Sequence, residues 1–300
     1  MSNEHPDRRL LTNGLSQPRR DGYAHPGSGI VDAHVHIFPP EVIRDRAAYG
    51  ERDAWFGLLY SDPRARMVTA EELLQEMDGC DIATSVAFGF AFADQGLCRL
   101  ANDYVIEAVR GHPGRLAGLA CVSPDAPGAV GEAERCLDAG LRGCGELVPR
   151  DRGLEGGWDD LAVCLAERGA PLLLHANEPV GHEYPGKGRF PLEMYARFVG
   201  IHPGLTVVLA HMGGGLLFYE LMPEIRRTFA RVYYDTAAVP YLYDARLYPV
   251  GISCVGQGKI IFGSDFPLLS SARYFEGMKG LGPEARDAVL GNNARKVFGL

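Results

Sequence analysis

No window of the 300-residue sequence approaches 18 uninterrupted apolar residues, so no segment reads as a membrane span. The N-terminus also lacks the apolar core of a signal peptide. There is no Lys/Arg-rich run, and the net charge of −8 and pI near 5.6 argue against nucleic acid or an anionic membrane as a partner. No C-x-x-C pair occurs. The seven cysteines are odd in number and mostly lie in apolar runs, which fits reduced core residues in the cytoplasm better than a disulfide framework. A small-molecule substrate is the expected partner, and a homodimer stays open.

With 46% hydrophobic and 23% charged residues, the composition is that of a globular chain large enough to bury one sizeable core. Residues 1–27 have almost no apolar periodicity and read as a flexible arm. Residues 28–300 read as a single domain. In that domain, short apolar runs rich in β-branched residues alternate with longer amphipathic segments, the pattern of repeated βα units. The runs fall at 30–36, 84–90, 116–123, 141–148, 171–177, 206–212, 232–238 and 259–265. Eight parallel strands, each followed by a helix, predict an α/β fold of the (β/α)8 TIM-barrel type. The interval after the first strand is much longer than the later ones, so residues 39–68 are expected to form an insertion over one end of the barrel.

The first strand contains a chemical oddity. In "IVDAHVH", Asp32, His34 and His36 occupy every second position and therefore share one face. The other unusual residues also gather at expected strand ends: Glu146 near the end of strand four, His175 at strand five, His211 at strand six and Asp265 at strand eight. In such a barrel the reactive groups lie at the C-terminal ends of the strands, where the βα loops open. Imidazoles and carboxylates converging there suit a divalent transition metal with one position left open, zinc being the first choice. A bound metal would lower the pKa of its water from 15.7 to roughly 7, with Asp265 or His211 placed to take the proton. It would also relieve the cost of burying several ionisable groups face to face.

The H-x-H of His34 and His36, the His175 of "LLLHAN", the His211 of "VLAHMGGG" and the Asp265 of "FGSDFP", in that order, resemble the metal-dependent amidohydrolase superfamily. The resemblance covers about residues 30–300 and is nearest to the amidohydrolase-related branch that includes aminocarboxymuconate semialdehyde decarboxylase-like proteins. It implies that His34, His36, His175 and Asp265 hold one metal and that His211 stands beside it as a proton carrier. Glu146, in a "GE" context, is a fifth candidate ligand. In some relatives a strand-four glutamate bridges two metals, so one ion is favoured and two stay open.

The resemblance implies hydrolysis first, with metal-activated water attacking an amide or lactone carbonyl of a small organic acid and Asp265 and His211 as catalytic groups. Metal-dependent non-oxidative decarboxylation of a small or aromatic carboxylic acid is the alternative. Arg64 and Arg66 in the insertion and Lys187 in the long loop after strand five are candidates for gripping a substrate carboxylate. Trp55, Phe88, Phe90, Phe92 and Tyr241 would suit an aromatic substrate.

Overall fold

A computed structural model describes residues 29–150, 153–188 and 190–300; the arm expected over residues 1–27 lies outside them. Eight parallel strands follow in chain order: β1 (Ile30–His36), β2 (Ile82–Phe88), β3 (Leu116–Gly118), β4 (Cys144–Leu147), β5 (Leu172–Leu174), β6 (Val207–Leu209), β7 (Val232–Asp235) and β8 (Ile260–Ile261). Continuous ladders join β1 to β3 and β4 to β8. The two arcs meet at both seams through isolated bridges, Ala120 to Cys144 and Val35 to Phe266. The sheet is thereby closed into a (β/α)8 barrel, with helices such as Gln95–Gly111 and Leu192–Ile201 outside it.

The strands are apolar because both of their faces are covered: Leu172, Leu173 and Leu174 of β5 are all fully buried. Thr69 and Glu72 form a capping box that opens the helix Ala70–Gly79. Between β1 and that helix lie three short helices, Pro40–Arg44, Arg46–Arg52 and Ala54–Tyr60. Asp53 pins this segment to the barrel by accepting from Phe56 N (2.9 Å) and Ala93 N (2.7 Å). A second apolar cluster completes the attachment, with Phe56 5.2 Å from both Phe90 and Phe92. Those two phenylalanines, read as substrate aromatics, instead hold the insertion down.

Several strands stop sooner than their apolar runs suggest. His175, His211 and Asp265 lie just beyond β5, β6 and β8, and His211 and Asp265 take left-handed backbone conformations (φ 55° and 61°). Such conformations are uncommon for residues other than glycine and cluster at functional sites. They turn these side chains out of the ladder and toward the barrel mouth. Among the described residues no helix is long and apolar enough to cross a membrane.

Candidate metal centre

His34 is fully buried on β1. Its Nδ1–H donates to Asp235 Oδ2 (2.8 Å), which aims Nε2 at the mouth, 3.7 Å from both Glu146 Oε2 and Asp265 Oδ1. His36 donates from Nδ1 to the Gly89 carbonyl (3.1 Å). A carbonyl only accepts, so Nδ1 of His36 carries a hydrogen, and its Nε2 lies 3.5 Å from Asp265 Oδ1 and 3.7 Å from Glu146 Oε2. Phe88 stands edge-on to both rings (5.1 and 4.7 Å between centroids) and fixes their orientation. Gly263 allows the chain after β8 to approach this closely, since a Cβ there would lie 2.6 Å from His34 Cβ.

Glu146, on β4, divides its carboxylate between two groups. Oε2 faces the two β1 histidines, while Oε1 lies 3.0 Å from His175 Nδ1 and 3.3 Å from His211 Nε2. His211 donates from Nδ1 to Ala237 O (3.0 Å), and its Nε2 is 3.2 Å from His175 Nδ1. The structure therefore brings together His34, His36, Glu146, His175, His211 and Asp265, from five different strands or strand ends.

The electrostatics show what this group lacks. Burial alone would depress the His34 imidazole, but Asp235, Glu146 and Asp265 override it and lift it to about 10. Burial likewise opposes His211, which Glu146 chiefly raises to about 9. The two carboxylates move the other way despite their burial: His34 and His175 hold Glu146 well below the usual range, and His36 and His34 lower Asp265. Opposite charge favours the charged form on both sides, so the carboxylates hold positive charge at the centre, as protons on the imidazoles or as a cation in their place. Two buried imidazole nitrogens, His34 Nε2 and His175 Nε2, have no hydrogen-bond partner. The sets His34, His36, Glu146 and Glu146, His175, His211 each bring their donor atoms within 4.8 Å of one another. Orphaned imidazoles beside carboxylates fit a divalent cation.

Asp235 is the residue that sequence reasoning missed. At the end of β7 it accepts from His34 through Oδ2, and from the His211 and Ala237 backbone N–H groups through Oδ1 (2.9 and 3.0 Å). Behind it, Tyr234 donates to Glu220 (2.9 Å), which is itself paired with Lys259. One carboxylate thus fixes the tautomer of one imidazole and the backbone of another. Asp235→Asn is expected to lower metal affinity about 10- to 100-fold, as is usual for a carboxylate behind a ligating histidine. Titration of the metal-free protein measures it, and unchanged affinity would remove Asp235 from this role.

Asp32 faces the same way but lies deeper. It ties β1 to the segment after β8 by accepting from Ser264 N (2.8 Å) and Ser271 Oγ (2.9 Å).

The proposed carboxylate-gripping cations fare differently. Arg64 is two-thirds exposed and paired with Asp62, away from the centre. The exposed Arg66 guanidinium lies 5.2 Å from the centre of the Phe266 ring, next to Asp265. The ammonium of Lys187 donates to carbonyls of its own loop. Two tyrosines do feel the centre. Tyr60, packed on Phe38 (5.1 Å), has its hydroxyl raised by burial and by Asp265 and Glu146. Tyr184 is raised by burial, by Glu178 and, more weakly, by Asp265.

Solved structures share this fold along nearly the whole chain. One is 5-carboxyvanillate decarboxylase from Sphingomonas paucimobilis (18% identity, 90% of this chain and 99% of that chain, TM-score 0.76). Another is a dihydroxybenzoic acid decarboxylase from a Polaromonas species with bound manganese and 2-nitroresorcinol (21%, 91% and 97%, TM-score 0.70). A third is 2,6-dihydroxybenzoate decarboxylase from Rhizobium (20%, 90% and 98%, TM-score 0.67). At these identities the likeness is one of fold. The family model described as Amidohydrolase matches residues 31–300, the barrel from the second residue of β1 onward, and the chain belongs to the amidohydrolase family.

Proposed function

We propose that the protein is a metal-dependent, non-oxidative decarboxylase of a hydroxylated aromatic carboxylic acid. This corrects the first reading of the sequence. Hydrolysis of an amide or lactone is withdrawn because 5-carboxyvanillate and dihydroxybenzoate decarboxylases predominate among the solved structures that share the fold, with a putative 2-pyrone-4,6-dicarboxylic acid hydrolase matching less well. The observation that carries the proposal is the centre's aromatic setting. His34 and His36 are backed by Phe88, and Tyr60 stands beside Phe38 next to His36, a surround that accepts a flat ring.

In this reading His34, His36, His175 and Asp265 hold one divalent ion, and Glu146 lies beside it. Zinc suits the imidazole-rich donors; manganese, present in the Polaromonas enzyme, is the second candidate. When bound, the cation supplies a Lewis acid for the anionic oxygens of the substrate. The chain's own groups do the rest. Decarboxylation requires a proton on the ring carbon that bears the carboxylate; the carbon–carbon bond then breaks, its electron pair returns to the ring and CO2 departs. His211, steadied by Ala237 O through Nδ1, holds that proton on Nε2; Asp265, ionised at rest, relays it to the ring carbon, and His211 is then reprotonated from water. Asp235 keeps His34 and His211 in register throughout, and the packed phenylalanines exclude water from one side.

The test is to load purified protein with zinc or manganese, count metal per chain by elemental analysis, and offer a panel of hydroxybenzoic acids beside lactones and amides. CO2 release matching loss of the acid one for one is expected. Ring opening or amide cleavage without CO2 would overturn the reading. Two metals per chain, falling to one in Glu146→Gln, would overturn the mononuclear assignment.

A further inference from the structure

Beyond β5 the chain leaves the barrel at Asn177 and returns at Gly188. Asn177 clasps the two ends together. Its Nδ2 donates to Gly188 O (2.8 Å) and its Oδ1 accepts from Gly188 N (2.9 Å). Between these points, residues 178–187 are held from within. The Lys187 side chain is only 4% exposed. Its Nζ donates to Val180 O (2.7 Å) and His182 O (3.0 Å), and lies 3.7 Å from Glu178 Oε1 and 5.6 Å from the centre of the Tyr184 ring. Tyr184 in turn donates to the other Glu178 oxygen, Oε2 (3.3 Å). A loop closed at its base and filled by its own side chains is an Ω-loop, a compact form that is frequently functional.

Two contacts set where it lies. At Gly186 (φ 91°), a Cβ would come 2.9 Å from the Leu59 side chain, next to Tyr60. At Gly214, in the run that follows His211, a Cβ would come 2.3 Å from Asn177 O. The loop therefore spans from the His175 and His211 side of the mouth to the insertion that carries Tyr60.

We propose that residues 178–187 form a cap over the metal centre, that Lys187 is its positioning residue, and that the cap presents Tyr184 to the ring of the bound aromatic acid. This rests on the reading of the centre as an aromatic-acid site. The ammonium of Lys187 has three donors; two go to Val180 O and His182 O, and its charge is paired with Glu178 at 3.7 Å. To reach a substrate carboxylate it would have to abandon two carbonyls and strand Glu178 beside it, the costly way to break a buried pair. Lys187 therefore acts through the loop.

The test uses the full-length, metal-loaded protein and compares wild type, Lys187→Met and Lys187→Arg by amide hydrogen exchange and by kinetics on a hydroxybenzoate with a single carboxylate. In Lys187→Met, exchange across 178–187 is expected to speed up at least about 10-fold, while β5, β6 and the metal content stay unchanged. KM should rise about 10-fold with kcat within about 3-fold, and Lys187→Arg should restore most of the protection. Unchanged exchange in Lys187→Met would overturn the cap. So would a KM defect confined to substrates with a second carboxylate, because that would make Lys187 a direct ligand. If Lys187→Met does not fold, Asn177→Ala opens the clasp instead and is expected to raise exchange over the same segment; unchanged exchange there overturns the cap equally. If no acid in the panel releases CO2, the exchange measurements still decide the cap, so its failure and that of the decarboxylase reading stay distinct.

Discussion

Protein carrying both His34→Ala and His36→Ala is expected to purify folded and essentially free of metal, with no measurable turnover. The two substitutions remove both β1 donors. Loss of a single supporting group behind a ligand already costs about 10- to 100-fold in affinity, so loss of two ligands should cost at least about 10³-fold. The fold should survive because the core is built from strand and helix residues such as Leu173, Val208 and Leu161 rather than from the mouth. The local cost is one unpaired oxygen on Asp235, which His34 satisfied, worth about 1–3 kcal/mol. Elemental analysis with thermal unfolding checks both halves. Metal at wild-type stoichiometry in the double variant would end the assignment of these histidines.

Asp265→Asn should cost at least about 10²-fold in kcat, the lower bound for a lost general acid–base group, even where some metal remains. The substitution is a clean one. Asp265 has φ 61°, and asparagine is among the few residues that tolerate that conformation, so the backbone can stay while the charge goes. Three relations change at once: the carboxylate no longer balances His34 or His36, it cannot hold a cation as firmly, and it cannot carry a proton. Steady-state turnover measured at saturating metal separates the last from the second. An asparagine variant as fast as wild type would exclude Asp265 from proton transfer.

Much of this centre was legible because its chemistry is written in local patterns. His34 and His36 alternate along a strand and so must share a face, and His175, His211 and Asp265 each close an apolar run. What the pattern could not give was partnership. Asp235 ends "VYYD" with no histidine or second carboxylate near it in sequence to mark it; its partners are residues 34 and 211, and only the closed barrel makes them adjacent. The cations misled for related reasons. Arg64 is taken by Asp62, two residues away, a local pairing that the sequence does contain. Lys187 is taken by backbone carbonyls, which no side-chain pattern records. Strand ends were read too long because apolar character continues past the last ladder bond, where left-handed turns at His211 and Asp265 bend the chain into the mouth.

The closure of the barrel has a consequence for the order of events in folding. At each seam the ladders give way to isolated bridges, and the centre's donors stand on both sides: His34 and His36 on the three-stranded arc, the others on the five-stranded one. Neither arc alone offers all four proposed ligands, although Glu146, His175 and His211 of the five-stranded arc already lie together, so a cation is held most tightly only once the arcs have met. Most of its binding energy then belongs to the finished barrel, and the ion should slow unfolding more than it changes the rate of folding. At free metal about a thousandfold above its dissociation constant, this adds about 4 kcal/mol. Chelation withdraws it, and the seams then part more often, baring the edges of β1, β3, β4 and β8. Unpaired strand edges recruit other chains, so protein stripped of metal is expected to be lost first to aggregation during storage.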